Sequence, residues 1–129
     1  MKNHSKALGL MALLLAAALL LCACGSSSSG KYTFSQFDER TSEGSITNTY
    51  TGFDGYKTYT VNLKKDAVLK VDVTTQAGKI EVAVKNPDGA VQNIKSATAG
   101  ELTVPVDKEG AWSVTFTAEK HDGSYTITW

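Results

Sequence analysis

The chain has 129 residues, with 13 basic and 13 acidic side chains and therefore no formal net charge. That length is one domain's worth, and the scattered charges offer no basic face for nucleic acid. Two cysteines are too few for a disulfide framework, and once the N-terminal segment read below as a signal is removed, one histidine and no free thiol remain for a zinc centre.

The N-terminus opens on MKNHSK, basic at Lys2, His4 and Lys6, and continues through 15 uncharged residues from Ala7 to Leu21. A basic start, an apolar run and then small residues describe a secretory signal peptide. A membrane span needs about 20 apolar residues, which is longer than this run. Cys22 and Cys24, at i and i+2, can bond only with strain, and no His, Asp or Glu stands beside them to complete a metal site. The residues Leu21-Cys22-Ala23-Cys24 resemble a bacterial lipobox, with Leu at −3, a small residue at −1 and Cys at +1. Reading from Cys22 instead puts the bulky Leu21 at −1, where a small side chain is needed. The resemblance implies cleavage before Cys24, a diacylglyceryl thioether on its sulfur, and a bacterial envelope location on the extracytoplasmic side. Two acyl chains hold a membrane stably where one does not. Gly25 follows the cysteine, so no Asp signals inner-membrane retention.

The mature chain then runs from Cys24 to Trp129, 106 residues with 11 basic and 13 acidic side chains, about −2 in net charge. Residues 1–23 are the signal, 24–30 the lipidated cysteine and its tether, and 31–129 the folded domain. The tether, Gly25–Gly30 (GSSSSG), has a root-mean-square reach of about 13 Å if it is flexible. YTFSQF predicts a first strand, and DERTSEGS an exposed loop. Strict alternation follows at Tyr59-Val61-Leu63, Leu69-Val71-Val73, Ile80-Val82-Val84, Leu102-Val104-Val106, Trp112-Val114-Phe116 and Tyr125-Ile127-Trp129. Period two with β-branched and aromatic residues predicts half-buried strands. Asp54-Gly55, Asn86-Pro87-Asp88-Gly89, Glu109-Gly110 and His121-Asp122-Gly123 read as turns between them. The fold class is all-β, a single antiparallel sandwich of jelly-roll type. Pro105 lacks an N–H and belongs on an edge strand.

From Tyr56 to Trp129 the chain also resembles the bacterial pre-peptidase C-terminal-type domain, a small jelly-roll sandwich. The residues that carry the likeness are YKTYTVNL, AVLKVDV, IEVAVKNPDGAV, GAWSVTFT and the closing GSYTITW. That family usually rides on secreted peptidases, whereas no catalytic domain is expected within these 129 residues.

No constellation for catalysis stands out, and the chain is read as non-catalytic. His121, the one histidine past the signal, lies beside Asp122-Gly123 and is expected at an exposed turn. Asp38, Glu39, Asp54, Asp66 and Asp72 supply carboxylates for glycoside cleavage by count alone. Asp54, Asp66, Asp88, Asp107 and Asp122 are oxygen ligands of the kind calcium uses, but they are spread over separate turns. No metal or cofactor is expected. Tyr32, Phe34, Phe37, Tyr50, Phe53 and Tyr56 cluster in the first half of the mature chain. Their rings either cap the sandwich, the preferred reading, or meet a ligand, for which Tyr50, Phe53 and Tyr56 are the candidates. Trp112 and Trp129 fall on the inward phase and are expected in the core. The function that follows is a lipid-anchored surface protein whose sandwich binds polysaccharide or protein; the alternative is an envelope-assembly subunit with no small ligand.

Replacing Cys24 by Ser is expected to abolish labelling of the protein by a palmitate analogue in growing cells, while Cys22→Ser leaves it intact. Labelling that survives in Cys24→Ser and vanishes in Cys22→Ser would overturn the assignment.

Overall fold

The computed structural model describes residues 26–97 and 100–129. The signal segment, Cys24 and Gly25 lie outside them. Seven strands follow one another: β1 (Ser27–Thr33), β2 (Gln36–Ser42), β3 (Ser45–Leu63), β4 (Val68–Lys85), β5 (Val91–Ala97), β6 (Gly100–Pro105) and β7 (Gly110–Thr128). They pair antiparallel in the order β1-β3-β7-β4-β5, with β2 also on β3 and β6 also on β4.

Three of these strands are 18 or 19 residues long, far above the usual five or six. Each serves two half-sheets. In the first, β2 pairs with Ser45–Thr51 of β3, that part of β3 with the end of β7, the end of β7 with the start of β4, and the start of β4 with β6. In the second, β1 pairs with residues 54–60 of β3, and the remaining halves of β7 and β4 lead on to β5. The halves face each other. Phe116 and Tyr125 are nine residues apart on β7, which in a straight strand would separate them by about 30 Å. Their rings stack at 3.9 Å with planes 12° apart, so the strand folds back on itself. The chain is thus the antiparallel β-sandwich that its alternation predicts.

The core between the halves is built from that alternation. Trp112, Val114, Phe116, Tyr125 and Ile127 of β7 are buried, as are Leu69, Val71, Val73, Ile80, Val82 and Val84 of β4. Trp129 packs against this cluster from a half-buried position. Pro105 ends β6, whose strand partner is β4, and it is exposed as an edge proline should be.

Several expected loops are instead strand. The serine tract belongs to β1, with Ser27 opposite Thr60 and Gly30 opposite Lys57. Strand pairing there needs only backbone groups, and Gly30 lets the two chains close up. A Cβ on it would lie 2.3 Å from the Tyr56 carbonyl oxygen. DERTS is β2, held by its register against Ser45–Thr49 of β3. Asp54-Gly55 lies inside β3 and His121-Asp122-Gly123 inside β7, where they form corners rather than turns. The two runs Trp112–Phe116 and Tyr125–Trp129 therefore lie on one bent path, as do Leu69–Val73 and Ile80–Val84. Asn86–Gly89 is a turn as expected, with the Asn86 side-chain oxygen accepting from the N–H groups of Asp88 and Ala90 at 3.0 and 3.1 Å.

The corners lie abreast. Register shifts fall between Tyr50 and Gly55 on β3 and between Thr75 and Lys79 on β4, both against residues 118–123 of β7. Such bulges bend a strand and raise its local twist. Gly78 sits in the β4 corner at φ 82°, and a Cβ there would come within 2.1 Å of the Lys120 carbonyl oxygen. Side chains then lock the three corners together. The Gly52 N–H donates to Asp122 Oδ1 at 2.7 Å. His121 is fully buried, not exposed, with Nδ1 2.6 Å from the Tyr50 hydroxyl and Nε2 2.8 Å from Thr75 Oγ1. One histidine on β7 thus joins β3 to β4.

Burial lowers the His121 pKa from its ordinary 6.5, and the Asp122 carboxylate opposes this only in part. Above that ordinary value both folded and unfolded chains hold the ring neutral, and stability is full. Below it the unfolded chain takes up a proton that the folded chain refuses, so stability declines as pH falls towards the folded value. The urea midpoint is expected to drop between about pH 7 and pH 5, by less in His121→Gln than in the parent. Equal drops in both proteins would assign the effect elsewhere.

Candidate functional site

The aromatic residues of the first half gather at the corner end of the sandwich. Phe34, in the link between β1 and β2, is their hub, with its ring 5.3 Å from Tyr32, 5.5 Å from Phe37, 5.3 Å from Tyr50 and 4.8 Å from Phe53. These are the spacings of packed aromatic pairs. The rings close the open end between the half-sheets, which is the capping role. Tyr50 and Phe53 are 3% and 0% exposed and sit together beneath the cap, 5.1 Å apart. Phe53 presents no face to a ligand, whereas Tyr50 reaches the lining of the depression described below. Tyr56 is brought nowhere near them; it stands half-exposed on the solvent side of β3, between Lys31 and Thr117.

Under the cap runs a buried polar chain. Lys57 is on the inward phase of β3, and its ammonium donates to Glu39 Oε1 at 2.9 Å. The same ammonium lies 4.9 Å from the Tyr32 ring centroid and 5.0 Å from that of Tyr59. The Tyr59 hydroxyl donates to the same carboxylate oxygen and meets the Tyr125 hydroxyl. With its proton on Glu39, Tyr59 can only accept from Tyr125, which in turn accepts from Asn48 Nδ2 at 3.1 Å. Burial pushes the hydroxyls of Tyr50, Tyr59 and Tyr125 well above the ordinary tyrosine range, so all three keep their protons. A buried charge pair with hydrogen-bonded neighbours costs less than a naked one, and losing one partner strands the other. Asn48 Oδ1, at the far end, has no hydrogen-bond partner among the described residues.

The depression that offers room for a ligand lies beside this cap. It encloses about 370 Å³, within the range of small-molecule sites. Its walls are Gln36, Phe37 and Asp38 of β2, Thr49, Tyr50 and Thr51 of β3, Thr74 and Gln76 of β4, and Gly123 and Ser124 of β7. The register explains the company: Asp38 pairs with Thr49, Thr49 with Ser124 and Ser124 with Thr74, one continuous cross-strand row. Phe37 is 65% exposed and is supported from behind by Phe34. Phe37 pairs with the buried Tyr50 and so stands on the phase opposite to that row, and the basin's lining draws on both phases: an exposed aromatic residue with residues that bear amides, hydroxyls and one carboxylate.

The aspartates weighed for calcium do not gather. Asp54 and Asp122 lie in strands, Asp66, Asp88 and Asp107 in separate links, and no three metal-ligating side chains converge among the described residues. Asp38 is in an exposed ion pair with Arg40, and Glu39 is taken by Lys57. Sequence reasoning named Phe37 and Tyr50 within the aromatic set and Asp38 and Glu39 among the carboxylates, but missed Lys57 and the hydroxyl and amide walls of the basin. Stepping back two residues from Tyr59 would have found Lys57 on the inward phase. Thr49, Thr74 and Ser124 carry no such signal, being ordinary solvent-phase strand residues.

No protein-family model and no curated protein matches the chain. Solved structures with a similar strand layout include a xylanase 10C from Cellvibrio japonicus in complex with xylopentaose, at 15% identity and TM-score 0.40 over 81% of this chain and 26% of that one. This chain thus spans about a quarter of the xylanase's length. Others are the xylan-binding module CBM86 from Roseburia intestinalis, at 13% identity and TM-score 0.40 over 80% of this chain and 90% of the module, and the C-terminal CBM6 of a marine laminarinase from Zobellia galactanivorans, at 12% identity and TM-score 0.40 over 81% and 100%. At these values the similarities are ones of strand layout, and they assign neither family nor ligand to this chain.

Proposed function

We propose that this sandwich is a polysaccharide-binding module held at a bacterial surface by a diacylglyceryl anchor on Cys24. The observation that carries the binding half is Phe37, an exposed aromatic residue lining a 370 Å³ basin together with Tyr50 and residues that bear amides, hydroxyls and a carboxylate. A pyranose has an apolar C–H face and a fringe of hydroxyls. The ring suits the first, and Gln36, Asp38, Thr49, Thr51, Thr74, Gln76 and Ser124 suit the second. Asp38 is the sole carboxylate among the basin's lining residues, whereas glycoside cleavage uses a pair flanking the bond. The site therefore holds its ligand without cutting it.

The anchoring half rests on the lipobox residues around Cys24. Strand β1 begins at Ser27, so three peptide steps, through Gly25 and Ser26, separate the acylated cysteine from the fold. Fully extended they span about 10 Å. The sandwich would rest against the lipid surface on a much shorter leash than a six-residue tether gives.

Affinity electrophoresis of the protein through gels containing xylan, β-1,3-glucan, soluble chitin or peptidoglycan fragments is expected to show retardation by at least one polymer. Phe37→Ala is expected to weaken that binding about tenfold or more, ~1.4 kcal/mol, with little change in melting temperature because the ring is exposed. Retardation unchanged in Phe37→Ala would remove the basin from consideration. Failure of every polymer to retard the protein would favour a protein-docking or assembly role.

A further inference from the structure

A second depression lies on the other side of the same corner. It encloses about 280 Å³ between Lys79, Ile80 and Glu81 of β4 and Thr117 and Glu119 of β7. Cross-strand pairing sets its composition, since Thr117 is opposite Glu81 and Glu119 opposite Lys79. The other neighbour of Thr117 is Tyr56, which is 44% exposed. Directly paired side chains stand about 4.5–5.5 Å apart at Cβ, so Tyr56, though not itself a lining residue, stands next to the Thr117 wall of this depression. Carboxylates and a hydroxyl again accompany an exposed aromatic.

The two depressions have no lining residue in common, but the same two strands, β4 and β7, run from one to the other. Gln76 of the first and Lys79 of the second are three residues apart on β4, and Gly123 and Glu119 are four apart on β7. An extended chain covers about 3.3–3.6 Å per residue, so these neighbouring walls are at most about 10 to 14 Å from each other. That is a distance a few linked sugar rings can bridge, but a single ring cannot.

We propose that the two depressions are successive subsites of one path running round the corner of the sandwich. The ligand is then an extended glycan chain gripped along its length, with one ring on Phe37 and another on Tyr56. The proposal rests on the reading of the first depression as a saccharide site. Engaging the second subsite becomes an intramolecular event once the first is filled, so affinity grows with chain length until both are spanned.

The test is titration of the full-length protein in detergent with xylo-, laminari- and chito-oligosaccharides from disaccharide to hexasaccharide. For the series that binds, the hexasaccharide is expected to bind about tenfold or more tightly than the disaccharide. Tyr56→Ala and, separately, Glu81→Gln are expected to remove most of that gain while leaving disaccharide affinity as it was. Phe37→Ala is expected to weaken both. Hexasaccharide affinity unchanged in Tyr56→Ala and Glu81→Gln, alongside loss in Phe37→Ala, would overturn the shared path and leave the first depression as a lone site. Saccharide binding that none of the three variants alters, or no binding by any series, would overturn the saccharide reading of the first depression and this inference with it.

Discussion

The link between Tyr50, His121 and Thr75 is the constraint on which the sandwich turns. It ties the bends of β3, β7 and β4 at one level, and the Asp122–Gly52 hydrogen bond repeats the tie one residue along. Three long strands can fold back in concert only if their bulges stay abreast; a slip of one residue would send every inward side chain to the solvent face. The stacking of Phe116 on Tyr125 and the closure of the core follow from that alignment. So do the aromatic cap over the end and the two basins on either side of it. A neutral imidazole suits this position because it offers one donor and one acceptor to hydroxyls that can take either role. An apolar residue there would leave both hydroxyls without that partner.

A second feature sets this core apart from a purely apolar one. Lys57 and Glu39 place opposite charges at the edge of a region otherwise filled by Val, Ile, Leu and aromatic rings. A run of directed hydrogen bonds through Tyr59 and Tyr125 to Asn48 carries that polarity across the interior. Apolar side chains of the same volume often match or exceed the stability of a buried ion pair. What the pair adds is selection. Glu39 reaches Lys57 only when β2 lies in its observed register against β3, and Tyr59 meets Tyr125 only when the halves are fully closed. An inner lysine facing two tyrosine rings also gains from their negative faces.

Much of the architecture could be read in the residues, and the parts that could not have a common cause. Alternation at Trp112–Phe116 and at Ile80–Val84 identified inward positions that are buried, because period two reports on burial wherever one face is dry. Glycine and aspartate at residues 54–55 and 122–123 read as turns because bulged corners use the same residues as hairpins. Only the pairing of partner strands across the break tells the two apart. The serines before Gly30 read as a tether because an edge strand can be held by backbone hydrogen bonds alone, and side chains then say little. His121 was placed outside for a related reason: its neighbours suggested a loop, and burial was decided by residues about 70 and 46 positions away. The basin is the least legible feature. Its walls come from four strands, and each wall residue is unremarkable in its own stretch of chain.

Folding the long strands back also decides where the chain ends emerge. Ser27 lies opposite Thr60, and Thr128 lies opposite Ser45 and Lys70, so both ends of the described chain issue from the side away from the corners. The basin, lined by Thr51, Gln76 and Gly123, occupies the corner side. A reporter or second domain fused after Trp129 would therefore sit at the foot of the sandwich, beside the N-terminal strand, and leave the corner unobstructed. The same polarity makes loop grafting safest at Asn86–Gly89, where the chain already turns in the open and the bends that hold the layers together are not involved.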